Sequence, residues 1–315
     1  MRQATRARAR THTEARGEPK CVCAARPPTL HPPPPHPALP CPRSTPLNFS
    51  WGADPEEAVA RSLALFEEQV MLEGPESIAA VLFESVVGSG GVLWAEPAYM
   101  CGIKAICDKY GILYIADEVM VGFGRTGHFW GFQHYPGLLP DIVTSAKGLS
   151  SSWQPISMVA MRQSIKDHFL ETPLGWGSTF QAHPVSVACG YEALKHMVEQ
   201  DVMGHVQKNL APVMKEQTQR MLDNHPCVKA GRALGMFGCL DLQKPDGSYM
   251  QPANGPPHPA LPLFKKALLD EGIYGFVRAP NFHSAPPLIS TPEDLVDGYD
   301  KIDRALTVLD KGLGF

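Results

Sequence analysis

Regular periodicity in the apolar positions starts near Asp54. There Asp54, Pro55, Glu56 and Glu57 supply an N-cap, a proline in the first turn and acids at the positive end of a helix dipole. The pattern predicts a helix to about Leu72. A strand–helix alternation follows. Residues 78–83 form a short apolar run, 97–110 read as an amphipathic helix, and 112–115 form a second apolar run. Residues 141–144 and 156–161 complete four strand candidates. Strands alternating with helices predict an α/β layer with a largely parallel sheet. From His183 to about Asn224 the texture changes to long helical periodicity. Residues 227–315 mix short strands with a closing helix from about Pro292, which reads as a smaller α+β domain. The expected organisation is therefore 1–53 disordered, 54–182 a large α/β domain, 183–226 linking helices and 227–315 a small C-terminal domain.

Composition changes this picture little. A chain of 315 residues with 44% hydrophobic and 19% charged residues has the profile of an ordinary globular protein with room for two domains. A net charge of −4 and a pI near 6.3 give no reason to expect a nucleic-acid or polyanion partner, so the ligand should be small. No apolar run approaches the roughly 18–20 residues that span a bilayer, so no membrane partner is expected. The eight cysteines are scattered without a zinc-type ligand cluster and read as reduced thiols in an intracellular compartment. Ten prolines crowd residues 27–46, which predicts disorder. Before them, Arg2, Arg6, Arg8, Arg10 and Arg16 stand among few acids. That segment reads equally as a mitochondrial or plastid transit peptide or as untranslated sequence carried into the reading frame.

Candidate chemistry sits at the strand ends. In open parallel sheets, ligands gather beyond the carboxyl ends of the strands, where loops surround a crevice. Asp117 and Glu118 follow one strand candidate, and Lys147 follows the next, about thirty residues later. A strand-end aspartate alone is often a helix cap and most lysines are solvated surface. Together at one rim they point to a cofactor. Pyridoxal phosphate requires both a lysine for covalent attachment and a carboxylate that keeps its pyridine nitrogen protonated.

At these residues the sequence resembles the class III aminotransferases, a branch of the fold-type-I pyridoxal-phosphate enzymes. The matching strings are ESVVGSGG from Glu84 to Gly91, IADEV from Ile115 to Val119 and GFGRTG from Gly122 to Gly127. DIVTSAKGL from Asp141 to Leu149 and GSTFQAHP from Gly177 to Pro184 complete the set. The resemblance covers about residues 54–309. It implies a partial fold-type-I large domain with a mostly parallel sheet, plus a smaller C-terminal α+β domain. It further implies that Lys147 is the Schiff-base lysine, that Asp117 pairs with the pyridine nitrogen and that Val119 packs on one ring face. Ser178 and Thr179 match the segment that reaches the phosphate of the neighbouring subunit's cofactor, which implies a homodimer. A helix N-cap is the simpler reading of Thr179. Arg125 and Glu118 read more readily as scaffolding than as substrate contacts. The implied activity is ping-pong transfer of an amino group from an amine to a keto acid.

Departures from the family pattern shape the remaining expectations. Ser85 replaces the family's proline after Glu84, and Ser150, Ser151 and Ser152 replace glycines after the lysine. No Gly-Ser phosphate turn or ring-stacking aromatic is found upstream of Asp54, so weak cofactor binding is expected. Members acting on ornithine or γ-aminobutyrate often carry a glutamate at the position of Ser89 and an arginine at that of His283. Here Arg278 precedes Ala285-Pro286-Pro287-Leu288 with the spacing of transaminases that use ω-amino acids or taurine-like amines with pyruvate. Arg278 is the candidate carboxylate contact, or else a surface residue. Two alternatives stay open. One is an aminomutase or decarboxylase of the same fold, which the GFGRTG string disfavours, and the other is a truncated, cofactor-poor pseudoenzyme.

Overall fold

The computed structural model describes residues 54–250 and 258–315. The expectations for residues 1–53, disorder and a transit peptide among them, lie outside the described residues. The first half is an α/β layer. Helix α1 (Pro55–Glu73) starts where the sequence indicates, with the Asp54 carboxylate accepting from Glu57 N at 2.9 Å and Pro55 in the first turn. Strand β1 (Ala80–Glu84) leads to α2 (Pro97–Tyr110), which opens on a proline and closes on Gly111 in the left-handed region at φ 70°. Then come β2 (Leu113–Asp117), β3 (Ile142–Ser145), β4 (Met158–Met161) and α3 (Gln163–Glu171).

Strands β1, β2 and β3 pair in parallel, and β4 closes the sheet antiparallel to β3. Tyr99, Met100, Ile103, Ile106 and Cys107 line one face of α2 at helical spacing and pack on Val81, Tyr114 and Ala116 from the sheet. Burying side chains of this size contributes roughly 1.5–3 kcal/mol each, which is why this face is fixed. The edge strand β4 is more open, with Val159 and Met161 exposed.

The second half begins with α4 (Pro184–Glu199), the short α5 (Val202–His205), a π-turn at Val206–Leu210 and α6 (Ala211–Asn224). Strands β5 (Val228–Leu234), β6 (Phe237–Leu242), β7 (Phe276–Arg278) and β8 (Asn281–Ser284) form an antiparallel sheet in the order β5-β6-β8-β7. Helices α7 (Ala260–Asp270) and α8 (Pro292–Leu313) cover it; α8 starts on a reciprocal Thr291–Asp294 cap. Val206, Leu210, Met214 and Met221 share one core with Leu240, Phe264, Phe282 and Leu306. The last helix of the 183–226 stretch is thus packed into the C-terminal layer.

Several polar ties join the halves, among them Arg125 Nη1 donating to Met236 O at 2.8 Å and to Pro286 O at 2.7 Å. Arg232 donates from Nε to Gly91 O at 2.8 Å while its other nitrogens hold Asp241, all three groups being buried or nearly so. At the β5–β6 turn, Gly235 has φ 58°, and a Cβ built there would stand 2.3 Å from the Thr126 carbonyl carbon. Only glycine lets this turn press against the 122–127 loop.

Candidate functional site

The ends of β2 and β3 set the site. Asp117 is the last residue of β2, in register with Glu84 on β1 and Thr144 on β3. Its Oδ1 accepts from Val119 N at 3.0 Å, which orients the carboxylate and leaves Oδ2 without a protein donor among the described residues. Lys147 comes three residues after Thr144, in a left-handed conformation at φ 41° that a side chain adopts only under local constraint. The turn after it is held by Leu149 N donating to Ala146 O at 3.0 Å. The acid and the lysine therefore stand at one edge of the sheet, on adjacent parallel strands. The Lys147 ammonium has no carboxylate or carbonyl partner among the described residues.

Glu118, next to Asp117, points the other way and is fully buried. Its carboxylate accepts from the Ser85 hydroxyl at 2.5 Å, from Gly131 N at 2.6 Å and from Phe132 N at 2.9 Å. Its backbone N donates to Thr144 O at 2.8 Å, and its carbonyl accepts from Ser145 Oγ at 3.1 Å. Burial pushes its carboxyl up from the usual range, with the three hydrogen bonds pulling the other way. Glu118 thus ties the ends of three strands together, a scaffolding geometry. The hydroxyl of Ser85, where the resemblance leads one to expect proline, is one of the three donors.

A cavity of about 820 Å³ opens between the two halves beside Lys147. Its walls are mostly apolar, with Phe123, Trp153, Met197, Phe237 and Leu288 prominent. The charged or titratable side chains in its lining are Lys147, Arg125, Cys189, Glu192 and His196. The walls come from stretches more than a hundred residues apart, which no local pattern announces. Cys189, Glu192, Ala193 and His196 could have been grouped as one face of α4 at helical spacing, but nothing in the sequence says what that face meets.

The other predicted residues do not line this cavity. Val119 is half-buried just past Asp117. Ser178 and Thr179 lie in an exposed turn, closed by Gln181 N donating to Ser178 O at 3.0 Å. Contrary to the helix-cap expectation, Thr179 does not cap α4, which starts at Pro184 with His183 as its cap. Arg278 is exposed at the end of β7. Ser89 occupies the turn between Val87 and Leu93, and His283 Nε2 donates to Gly88 O at 3.2 Å, so those two positions are neighbours in space. Burial lowers the His283 pKa.

Comparison with known proteins decides the family. The profile described as aminotransferase class-III matches residues 24–306. The chain belongs to the class III aminotransferase family. The match begins at residue 24, upstream of Asp54, where the resemblance first becomes legible in the sequence. The chain is 35% identical over 263 residues to the probable gamma-aminobutyrate transaminase 3, mitochondrial, of Oryza sativa subsp. indica, covering 80% of this chain and 49% of that protein. It is 35% identical over 202 residues to the putrescine–pyruvate aminotransferase of Pseudomonas aeruginosa, covering 63% of this chain and 44% of that protein. Among solved structures, the taurine:2-oxoglutarate aminotransferase of Bifidobacterium kashiwanohense, in complex with PLP and glutamate, superposes with a TM-score of 0.78 at 37% identity. That superposition covers 83% of this chain and 58% of the other. The chain spans about half the length of the curated relatives it matches. The mostly parallel sheet and the antiparallel sheet match this transaminase fold. No described helix is long and apolar enough to cross a membrane.

Proposed function

We propose that this chain carries the cofactor-binding core of a pyridoxal-phosphate-dependent aminotransferase that moves an amino group from an amine or ω-amino acid to a keto acid such as pyruvate. The observation that carries the reading is the placement of Asp117 and Lys147 at the ends of adjacent parallel strands, in a member of this family. Pyridoxal phosphate, when bound, supplies a carbonyl that links to amines and a ring that takes up the electron pair left on the substrate carbon. The residues fit that group: Lys147 offers an unpaired amine, and the free Oδ2 of Asp117 can hold a proton on the ring nitrogen. Val119 would lie against one face of the ring. Lys147 Nζ would hold the cofactor and, as a free amine, would take the proton from the substrate carbon, so one group would serve as anchor and as base.

The proposal includes a homodimer in which Ser178 and Thr179 reach the partner subunit's cofactor phosphate. Supporting it, Trp153, Leu170, Trp176, Phe180, Val185 and Tyr191 are all more than half exposed, an unusual density of bare apolar side chains for one stretch of chain. The names of relatives span γ-aminobutyrate, putrescine and taurine. The neutral Ser89 and His283 favour an amine or taurine-like donor. The test is product analysis. Incubation with pyridoxal phosphate, a candidate amine and pyruvate should yield alanine and the matching carbonyl compound in equal amounts. Carbon dioxide or an isomeric amino acid as the product would replace this reading with a decarboxylase or aminomutase.

A further inference from the structure

Residue 118, just behind the cofactor edge, has all of its polar groups engaged. Its N donates to Thr144 O at 2.8 Å, and its carbonyl accepts from Gly122 N at 3.0 Å and from Ser145 Oγ at 3.1 Å. Its carboxylate takes three donors: Ser85 Oγ at 2.5 Å, Gly131 N at 2.6 Å and Phe132 N at 2.9 Å. One residue thus fastens the end of β2 to the segment after β1, to the loop of residues 122–132 and to the end of β3. The β2–β3 ladder ends at the pair Asp117–Thr144, and the Glu118 bonds carry it one residue further, to the rim. Asp117 is the preceding residue, and Lys147 follows Ser145 by two. The titratable groups on the segments that meet Glu118 are Asp117, Glu84, His134, Tyr135 and Lys147, and the Tyr135 hydroxyl donates to Ser85 O at 2.6 Å. The buried carboxylate is in no ion pair among the described residues, so its three donors are what stabilise its charge.

The pyridine nitrogen and the carbon that would bond to Lys147 sit at opposite ends of one rigid planar ring. A carboxylate and an amine that serve both ends must therefore stand at a set separation, held to within about 0.5 Å of the productive geometry. Asp117 Oδ1 is oriented by Val119 N at 3.0 Å, but that bond lies within its own strand end and does not reach β3. The bonds of Glu118 do. We propose that Glu118, held by Ser85, is the positioning residue that sets Asp117 Oδ2 against Lys147, so that both engage one cofactor at once. Ser85 is the adjustable part of the arrangement. Gly131 and Phe132 donate from the backbone whatever their side chains, whereas the third donor needs a hydroxyl at position 85. This role rests on the proposed function, since it requires the cofactor between Asp117 and Lys147. Loosening the Glu118 contacts should leave covalent attachment at Lys147 intact and weaken the hold of Asp117 on the ring-nitrogen proton.

The test uses the full chain loaded with pyridoxal phosphate isotopically labelled at the ring nitrogen, for the parent, Glu118→Gln, Ser85→Ala and Ser85→Thr. Borohydride mapping reads attachment. NMR of the ring nitrogen through a pH titration reads whether that nitrogen carries its proton. Thr291→Ala, which removes the side-chain cap of α8 in the C-terminal layer, is the control for general loss of stability. All of these proteins should take the pyridoxyl label on Lys147. In Glu118→Gln the ring nitrogen should lose its proton about one pH unit lower than in the parent, a tenfold weaker hold. Ser85→Ala should shift the titration the same way by less, Ser85→Thr should restore the parent value, and Thr291→Ala should not move it. A titration unmoved in folded Glu118→Gln, or moved equally in Thr291→Ala, would overturn the positioning role. If Glu118→Gln does not fold, Ser85→Ala decides, and an unmoved titration there overturns the role as well. A parent chain that takes no label on Lys147 would instead overturn the proposed function, and this role with it.

Discussion

Replacing Ser85 by alanine removes one hydroxyl from a fully buried carboxylate without introducing bulk. In the parent the hydroxyl donates to Glu118 at 2.5 Å, and Gly131 N and Phe132 N donate to the same group. A hydrogen bond to a buried charge is worth about 1.5–3 kcal/mol, so a loss of about 2 kcal/mol is expected. At about 2–4 °C per kcal/mol for a chain of this size, the melting temperature should drop by roughly 4–8 °C. The effect should depend on pH. Burial raises the Glu118 pKa above its unfolded value, so protonation of this group favours the folded state, and that stability is lost as pH rises through the folded pKa. Without the Ser85 hydroxyl the folded pKa rises further. The penalty should therefore be larger at about pH 8 than at about pH 5, because the charged fraction of Glu118 grows as pH rises from the ordinary carboxylate range. Differential scanning calorimetry or circular dichroism at both pH values measures this. A melting temperature within about 1 °C of the parent at both would refute the claim that Ser85 stabilises the buried charge.

Other perturbations probe separate parts of the structure. Asp241→Ala leaves the Arg232 guanidinium buried and unpaired and should lower stability by about 3–5 kcal/mol in urea titrations. Gly235→Ala meets the Thr126 backbone at 2.3 Å in a left-handed turn and should cost at least about 1–3 kcal/mol by the same assay. Burial holds the His134 pKa down to about 4, so its contribution to stability is complete above the unfolded histidine range and declines as pH falls from there toward 4. Its ring signal in an NMR titration should stay that of a neutral imidazole at pH values where exposed histidines have charged. Asp117→Asn should retain covalent labelling of Lys147 and lose most turnover, because an amide cannot hold the ring-nitrogen proton. Parent-like transamination would remove Asp117 from that role.

Much of the fold was legible because its boundaries carry strong local chemistry. Helices α1 and α2 begin on prolines, and Gly111 closes α2 as the apolar spacing indicates. The apolar runs that became β1, β2 and β3 shifted by only a residue or two. Strand β4 was legible as a strand, but its antiparallel pairing with β3 was not, since direction depends on the path of the connecting chain. At the site, the shared edge for Asp117 and Lys147 followed from strand ends alone. The expectation that Asp117 faces the cofactor and Glu118 is scaffolding was already drawn from the sequence; the three donors that hold the buried Glu118, from Ser85, Gly131 and Phe132, needed the three-dimensional structure. The clamp made by Arg125 joins carbonyls 111 and 161 residues away, and no periodicity encodes such contacts.

The proposed function turns on the point of cofactor attachment. Treating the full chain with pyridoxal phosphate and borohydride, followed by peptide mapping, fixes the linkage permanently. The pyridoxyl label should appear on Lys147 in the SAKGL peptide, and Lys147→Ala should abolish it while the protein keeps its melting profile. Equal labelling of surface lysines with none at Lys147, or undiminished labelling in Lys147→Ala, would contradict the claim that the β3 end holds the cofactor.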